Sequence, residues 1–119
     1  MDLKEALYFR VKILADNEVI SRKVADYTCR VVDQILEQVP EAAQDKVEMF
    51  ITHLAMAGKR AEEGTEENPI DGAILEAVKA EAVYPVALTM RDSLLSLTDI
   101  VFPETEQDFL SVHLCNLLI

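Results

Sequence analysis

The sequence contains no tryptophan, two cysteines, three glycines and four prolines in 119 residues. Cys29 and Cys115 are too few for a disulfide framework, and they read as buried thiols kept reduced in the cytoplasm. So little glycine and proline excludes collagen-like, linker-like and low-complexity chains. Long apolar runs are also missing. The richest stretch, Leu110 to Ile119, is interrupted by His113 and Asn116 and falls far short of the roughly 20 residues a membrane helix needs. The N-terminal segment MDLKEALYFRVKILADNE interleaves charge with apolar residues, which is unlike a secretion signal. The expectation is a cytoplasmic protein without membrane contact. Basic residues are scarce as well. Eleven Lys and Arg stand against 22 Asp and Glu, for a net charge of -11, and that field repels a nucleic-acid backbone.

Half of the residues are apolar, enough for the core of one domain at this length, so residues 1–119 are expected to form a single unit. Apolar residues recur with helical spacing and never alternate long enough for a strand. Leu3, Leu7, Val11 and Leu14 mark a first helix ending near Asp16-Asn17. Ser21 is placed to cap a second, whose Val24, Tyr27, Val31 and Ile35 form one stripe and Ala25, Cys29, Val32 and Leu36 another. A face that broad calls for more than one covering neighbour. Pro40 and Glu41 suit the opening of a third helix, with Val47, Phe50, Ile51, Leu54 and Gly58 inward and Gly64 as its stop. The run Glu62, Glu63, Glu66, Glu67 reads as a solvated connection. Asn68-Pro69 reads as the cap and first turn of a helix through Ile74, Leu75 and Val78, broken near Tyr84 by Pro85. The pattern resumes through Leu88, Met90, Leu94, Leu97 and Ile100. Pro103 precedes a last helix carrying Phe109, Leu110, Val112, Leu114 and Leu117. The predicted fold is all-α, a compact bundle of about five or six helices.

Only two histidines are present. His53 lies in FITHLAMAGKRAEEG, with Arg60 seven residues onward and Asn68-Pro69 beyond the acidic run. His113 lies in PETEQDFLSVHL, preceded by Pro103, Glu106 and Leu110 at intervals of ten, seven and three. A histidine followed two helical turns later by arginine, and a second histidine ending a Pro-x-x-Glu-x-x-x-Leu-x-x-His pattern, are the two motifs of the PTS regulation domain (PRD). This is the histidine-phosphorylated control module of bacterial sugar-operon regulators. Residues 20 to 119 resemble it, with the first helix as an addition.

The resemblance implies phosphoryl-accepting positions at His53 and His113, with Arg60, Asn68 and Glu106 in supporting parts. It also implies a phosphoryl donor, either the phosphocarrier HPr or an enzyme IIB, a homodimer, and a regulatory protein target acted on without direct nucleic-acid contact. Imidazole suits the task. Its unperturbed pKa near 6.5 leaves a nitrogen lone pair available for attack, and neither metal nor cofactor is needed. A carboxylate such as Glu106 can fix the tautomer, and an arginine such as Arg60 can pair with the phosphate. PRDs commonly occur in pairs fused to a nucleic-acid-binding module, whereas this sequence has one such unit and no basic module.

Three other readings are weaker. A helix-turn-helix DNA binder over residues 3 to 39 conflicts with the acidity. A metal enzyme built from Cys29, His53, His113 and Cys115 conflicts with the positions of His113 and Cys115, which are two apart and point about 200° away from each other on a helix. A helical protein-interaction module with both histidines inactive is the main alternative.

Overall fold

A computed structural model describes residues 2–119; Met1, at the head of the expected domain, lies outside the described residues. Six helices follow in order: α1 (Leu3–Asp16), α2 (Arg22–Gln38), α3 (Gln44–Glu63), α4 (Gly72–Lys79), α5 (Tyr84–Leu95) and α6 (Glu104–Leu118). No strand occurs among the described residues, and the all-α reading holds.

Local chemistry explains several of the boundaries. Asp2 accepts the backbone N–H of Glu5 at the start of α1, and Ser21 accepts that of Val24 at the start of α2 at 3.1 Å. Each side chain supplies a partner for a donor that the helix itself leaves unpaired. Gly64 ends α3 in the left-handed region, φ 75°, a conformation that a Cβ would penalise.

Three boundaries differ from the sequence reading. Pro40 does not open α3. It sits second in a turn closed by the Ala42 N–H donating to the Val39 carbonyl at 3.1 Å, because a fixed φ near -65° suits that turn position as well as a first helical turn. Asn68-Pro69 does not start α4. Asp71 takes the cap instead, accepting from the Ala73 and Ile74 N–H groups, while Pro69 disfavours helical geometry at Asn68. Finally, α5 stops at Leu95, before Leu97 and Ile100. The carbonyls a longer helix would use are taken from α2: the Tyr27 hydroxyl donates to Leu94 at 2.8 Å and the Arg30 guanidinium to Leu97 at 2.9 Å.

The second helix is the centre of the bundle. Val24, Tyr27, Val31, Val32 and Ile35 are all buried, and α1 and α3 pack against them. Tyr27 also reaches α5 through Leu94, so its breadth is covered by several neighbours as expected. Leu7 and Val11 of α1 enter the core. Outside it, Tyr8 bonds Asp33, Lys4 pairs with Asp33 at 3.1 Å, and Arg10 reaches Thr52 on α3. Cys29 is half-buried and Cys115 buried, and burial raises the pKa of both thiols. The broad apolar face of α2 is therefore spent on the core. The exposed large apolar residues lie elsewhere, Met49, Ile74 and Ile119 among them. No described helix is long and apolar enough to cross a membrane.

Gly58 sets the closeness of α2 and α3, since a Cβ there would lie 2.9 Å from a methyl of Val24. Val24 is fully buried and, as a β-branched residue in a helix, is confined to essentially one rotamer. Gly58→Ala should lose about 1–3 kcal/mol to overpacking, more than the roughly 1 kcal/mol that alanine gains in helix propensity. Denaturant unfolding should therefore show a less stable protein, with recovery in Gly58→Ala, Val24→Ala. A single variant as stable as wild type would mean that α2 and α3 can separate at no cost.

Candidate functional site

Helices α3 and α6 run antiparallel, and three side-chain contacts fix their register. At one end Lys46 donates to the Asn116 carbonyl at 3.1 Å. In the middle the rings of His53 and His113 stack, with centroids 4.2 Å apart and planes 26° from parallel. At the other end the Arg60 guanidinium grips Glu106, Nε to Oε1 at 2.7 Å and Nη2 to Oε2 at 3.0 Å. His53 and Arg60 are seven residues apart, as are Glu106 and His113. Seven residues are close to two turns, about 10 Å, so equal spacings on antiparallel helices bring both pairs together at once.

Between these pairs opens a cleft of about 290 Å³, lined by both histidines, Arg60, Glu67 and Glu106 with apolar walls that include Ala57, Phe109 and Val112. His53 is exposed and His113 half-buried. Thus two imidazoles that are sixty residues apart in sequence share one solvent-reachable opening. Burial, and secondarily the charge of His53, lowers the pKa of His113 from 6.5 to about 4. Its ring is therefore neutral at neutral pH.

Two of the supporting residues, Arg60 and Glu106, pair with each other. Among the described residues, the hydrogen bonds of the Glu106 side chain go to Arg60 and Glu67 rather than to either ring. Its side chain is 1% exposed, and besides Arg60 it accepts the Glu67 backbone N–H at 3.2 Å. Burial alone would raise its pKa, but the hydrogen bonds from Arg60 and Glu67 and the guanidinium charge outweigh that and hold it below the ordinary carboxylate value. Two opposed forks form both bonds, the geometry in which arginine binds carboxylate most tightly. Two Arg60 donors, Nε and Nη2, are thereby taken by Glu106, and the pairing raises the pKa of Arg60. Asn68 is exposed and is not among the residues lining the cleft.

The acidic run is not simply solvated. Glu67 lies 3.4 Å from Arg60 Nη1, Glu66 accepts the Thr105 hydroxyl at 2.5 Å, and Glu62 accepts the Ser21 hydroxyl at 2.7 Å. Sequence reasoning missed Glu67 because four glutamates in six positions look alike. Its one signal was a place seven residues after Arg60. No group of three or more potential metal ligands occurs among the described residues.

The family model described as PRD domain matches residues 30–117, which span α3 to α5 entirely and leave α1 and the first turns of α2 outside. Comparisons with curated proteins and with solved structures gave no significant match.

Two acid windows follow from these environments. His113 has a lowered folded pKa, so the unfolded chain binds its proton first as pH falls. The stability this neutral ring contributes is complete above about pH 6.5 and is lost toward about pH 4. His113→Gln should flatten the decline of unfolding free energy across that window. Glu106, also lowered, contributes stability above the ordinary carboxylate value near 4.5, lost as pH falls through its lower folded value. At pH 7, Glu106→Gln should lose about 1.5–3 kcal/mol, the usual range for a hydrogen bond to a charged group, and the gap from wild type should close in strong acid. Parallel stability–pH curves for wild type and both variants would contradict these assignments.

Proposed function

The chain belongs to the PRD domain family, a family of regulatory rather than catalytic modules, and on that premise we propose that it regulates sugar uptake or metabolism through phosphorylation of His53 and His113. The observation that carries the reading is the histidine pair stacked at 4.2 Å in one open cleft. Phosphoryl transfer needs an unprotonated nitrogen with a path to phosphorus. His53 is exposed, and His113 stays neutral well below neutral pH. The lone pair of one ring attacks the phosphorus of a phosphohistidine on HPr, or of a phosphorylated enzyme IIB. A new N–P bond forms as the donor's bond to phosphorus breaks, and that electron pair returns to the donor.

Within this reading, Arg60 and Glu106 are positioning residues that hold the two histidine-bearing helices in register. Residues 1–119 act as one cytoplasmic regulatory domain, with α1 added to the family region. The target is a regulatory protein, since a net charge of -11 disfavours nucleic acid. Self-association as a homodimer belongs to the same proposal. His113 lines a second, apolar groove with Met49, Ile74 and Ile119, so a phosphoryl group on that ring adds about -1.5 to -2 charges at its edge, by analogy with hydroxyl phosphorylation.

Incubation with phosphorylated HPr or enzyme IIB should give an acid-labile label that disappears in the double variant His53→Ala, His113→Ala. Sedimentation of the labelled and unlabelled wild type should differ. Label retained in the double variant would place phosphorylation elsewhere. No label from either donor would favour a helical interaction module whose histidines are inactive.

A further inference from the structure

Among the side chains of the cleft, Glu67 alone belongs to no helix. It sits in the irregular segment between Gly64, which ends α3, and Asp71, which caps α4. That segment is held to α6 by the Glu67 N–H on Glu106 and by Glu66 on Thr105, and to α3 by the Glu67 carboxylate against Arg60. The helix it leads into, α4, has no buried residue of its own and packs chiefly on α6. Its attachment is weak in apolar burial, so the polar ties at Glu67 and Glu66 carry an unusual share of it.

The two carboxylates on Arg60 are held very differently. Glu106 is buried and takes both Nε and Nη2 at hydrogen-bond distance. Removing its partner would strand a carboxylate that water cannot reach. Glu67 is 48% exposed and only approaches Nη1, at 3.4 Å, beyond the roughly 2.7–2.9 Å of a charge-assisted hydrogen bond. Water can replace that contact at little cost. A competing anion would therefore take Nη1 and leave Glu106 in place.

We infer that Glu67 occupies the position on Arg60 that a phosphoryl group on the histidine pair takes, so that phosphorylation expels Glu67 and loosens residues 65–79, α4 included. The inference rests on the phosphorylation reading above. Arg60 lies about two turns C-terminal to His53, and helical side chains lean toward the N-terminus, which directs its guanidinium toward the ring. With neutral imidazoles, the charged residues lining the cleft are one arginine and two glutamates, a net negative set. Adding a phosphoryl dianion repels both carboxylates, and only Glu67 can leave. As it leaves, its backbone N–H withdraws from Glu106 and α4 loses the anchor at its leading end. Coupling of this kind is reciprocal: whatever factor phosphorylation contributes to release of the segment, prior release contributes to phosphorylation.

The test is amide hydrogen exchange of the full chain, with phosphate content read by intact mass. Phosphoramidate serves as a chemical donor beside the carrier protein. The ring nitrogen attacks its phosphorus, the P–N bond breaks and ammonia leaves. Exchange at the Glu67 amide and through α4 should rise on the order of tenfold, within the roughly 5- to 150-fold span common for coupled sites, while α2 is unchanged. A fixed charge should act similarly, so His53→Glu should speed the same amides and the neutral control His53→Gln should not. Glu67→Gln should raise phosphoryl occupancy at a fixed donor ratio by the factor seen in exchange. Phosphorylated protein with unaltered exchange over 65–79 overturns the latch, as does His53→Glu behaving like His53→Gln. Absence of carrier-dependent label with His53→Glu still loosening the segment supports the latch and counts only against the carrier as donor.

Discussion

The bidentate pair between Arg60 and Glu106 is the constraint on which the arrangement of the site depends. An isolated carboxylate does not remain ionised in a core, and this one is almost completely enclosed. It stays charged because a guanidinium and a backbone N–H meet it there. Such a pair adds little net stability over apolar packing of the same volume, yet losing one partner typically costs about 3–5 kcal/mol. Its effect is therefore mainly on geometry: α3 and α6 cannot slide or rotate relative to each other without breaking it. Since His53 and His113 stand two turns away on the same two helices, the register that satisfies the ion pair also stacks the rings.

Apolar burial is distributed to match. The face of α2 is covered from several sides, and its polar side chains claim carbonyls at the end of α5, the second of these, Leu97, lying just beyond its end, so α1, α2, α3 and α5 form the body and α6 is tied to it by both packing and charge. By contrast, α4 is attached at the edge without a buried residue. The segment that leads into it passes the mouth of the cleft. The helix with least apolar burial is thus reached by a segment beside the part carrying the histidines, and the same carboxylate, Glu106, holds both.

Much of this was legible in the sequence, and the exceptions have common causes. The stripes of α1, α2 and α3 predicted their buried residues because three- and four-residue spacing has no other good reading in a chain without alternation. Ser21 and Gly64 were identified correctly because each has a side chain, or lacks one, that suits a single helix end. Pro40 and Asn68-Pro69 were misplaced because a fixed φ serves turns and first turns equally, and nearby Asp71 is the better cap. The equal spacings of seven in the two histidine motifs are compatible with pairing of His53 with His113 and of Arg60 with Glu106. What was missing was the antiparallel contact of α3 with α6, a tertiary fact that spacing along one chain does not encode. Without it, neither the seating of Glu106 on Arg60 nor the approach of Glu67 to the same guanidinium can be read from the spacing.

The charge of the cleft bears on how an anion would come to be there. Among the described residues Arg60 is the one cation lining it, and two of its donors are already used by Glu106. A free phosphate or sugar phosphate would meet a net negative opening on a molecule of charge -11, with no preformed fork to receive it. Stable occupancy by such a ligand is therefore disfavoured. A covalent phosphoryl group is different, since the N–P bond holds it in place whatever the local field, and the field then acts on the protein instead. The acidity that makes the cleft a poor anion receptor is what would turn a covalently attached anion into a mechanical signal, directed at the least firmly held carboxylate. Specificity for a donor would in that case have to come from contact between protein surfaces rather than from the field of the cleft.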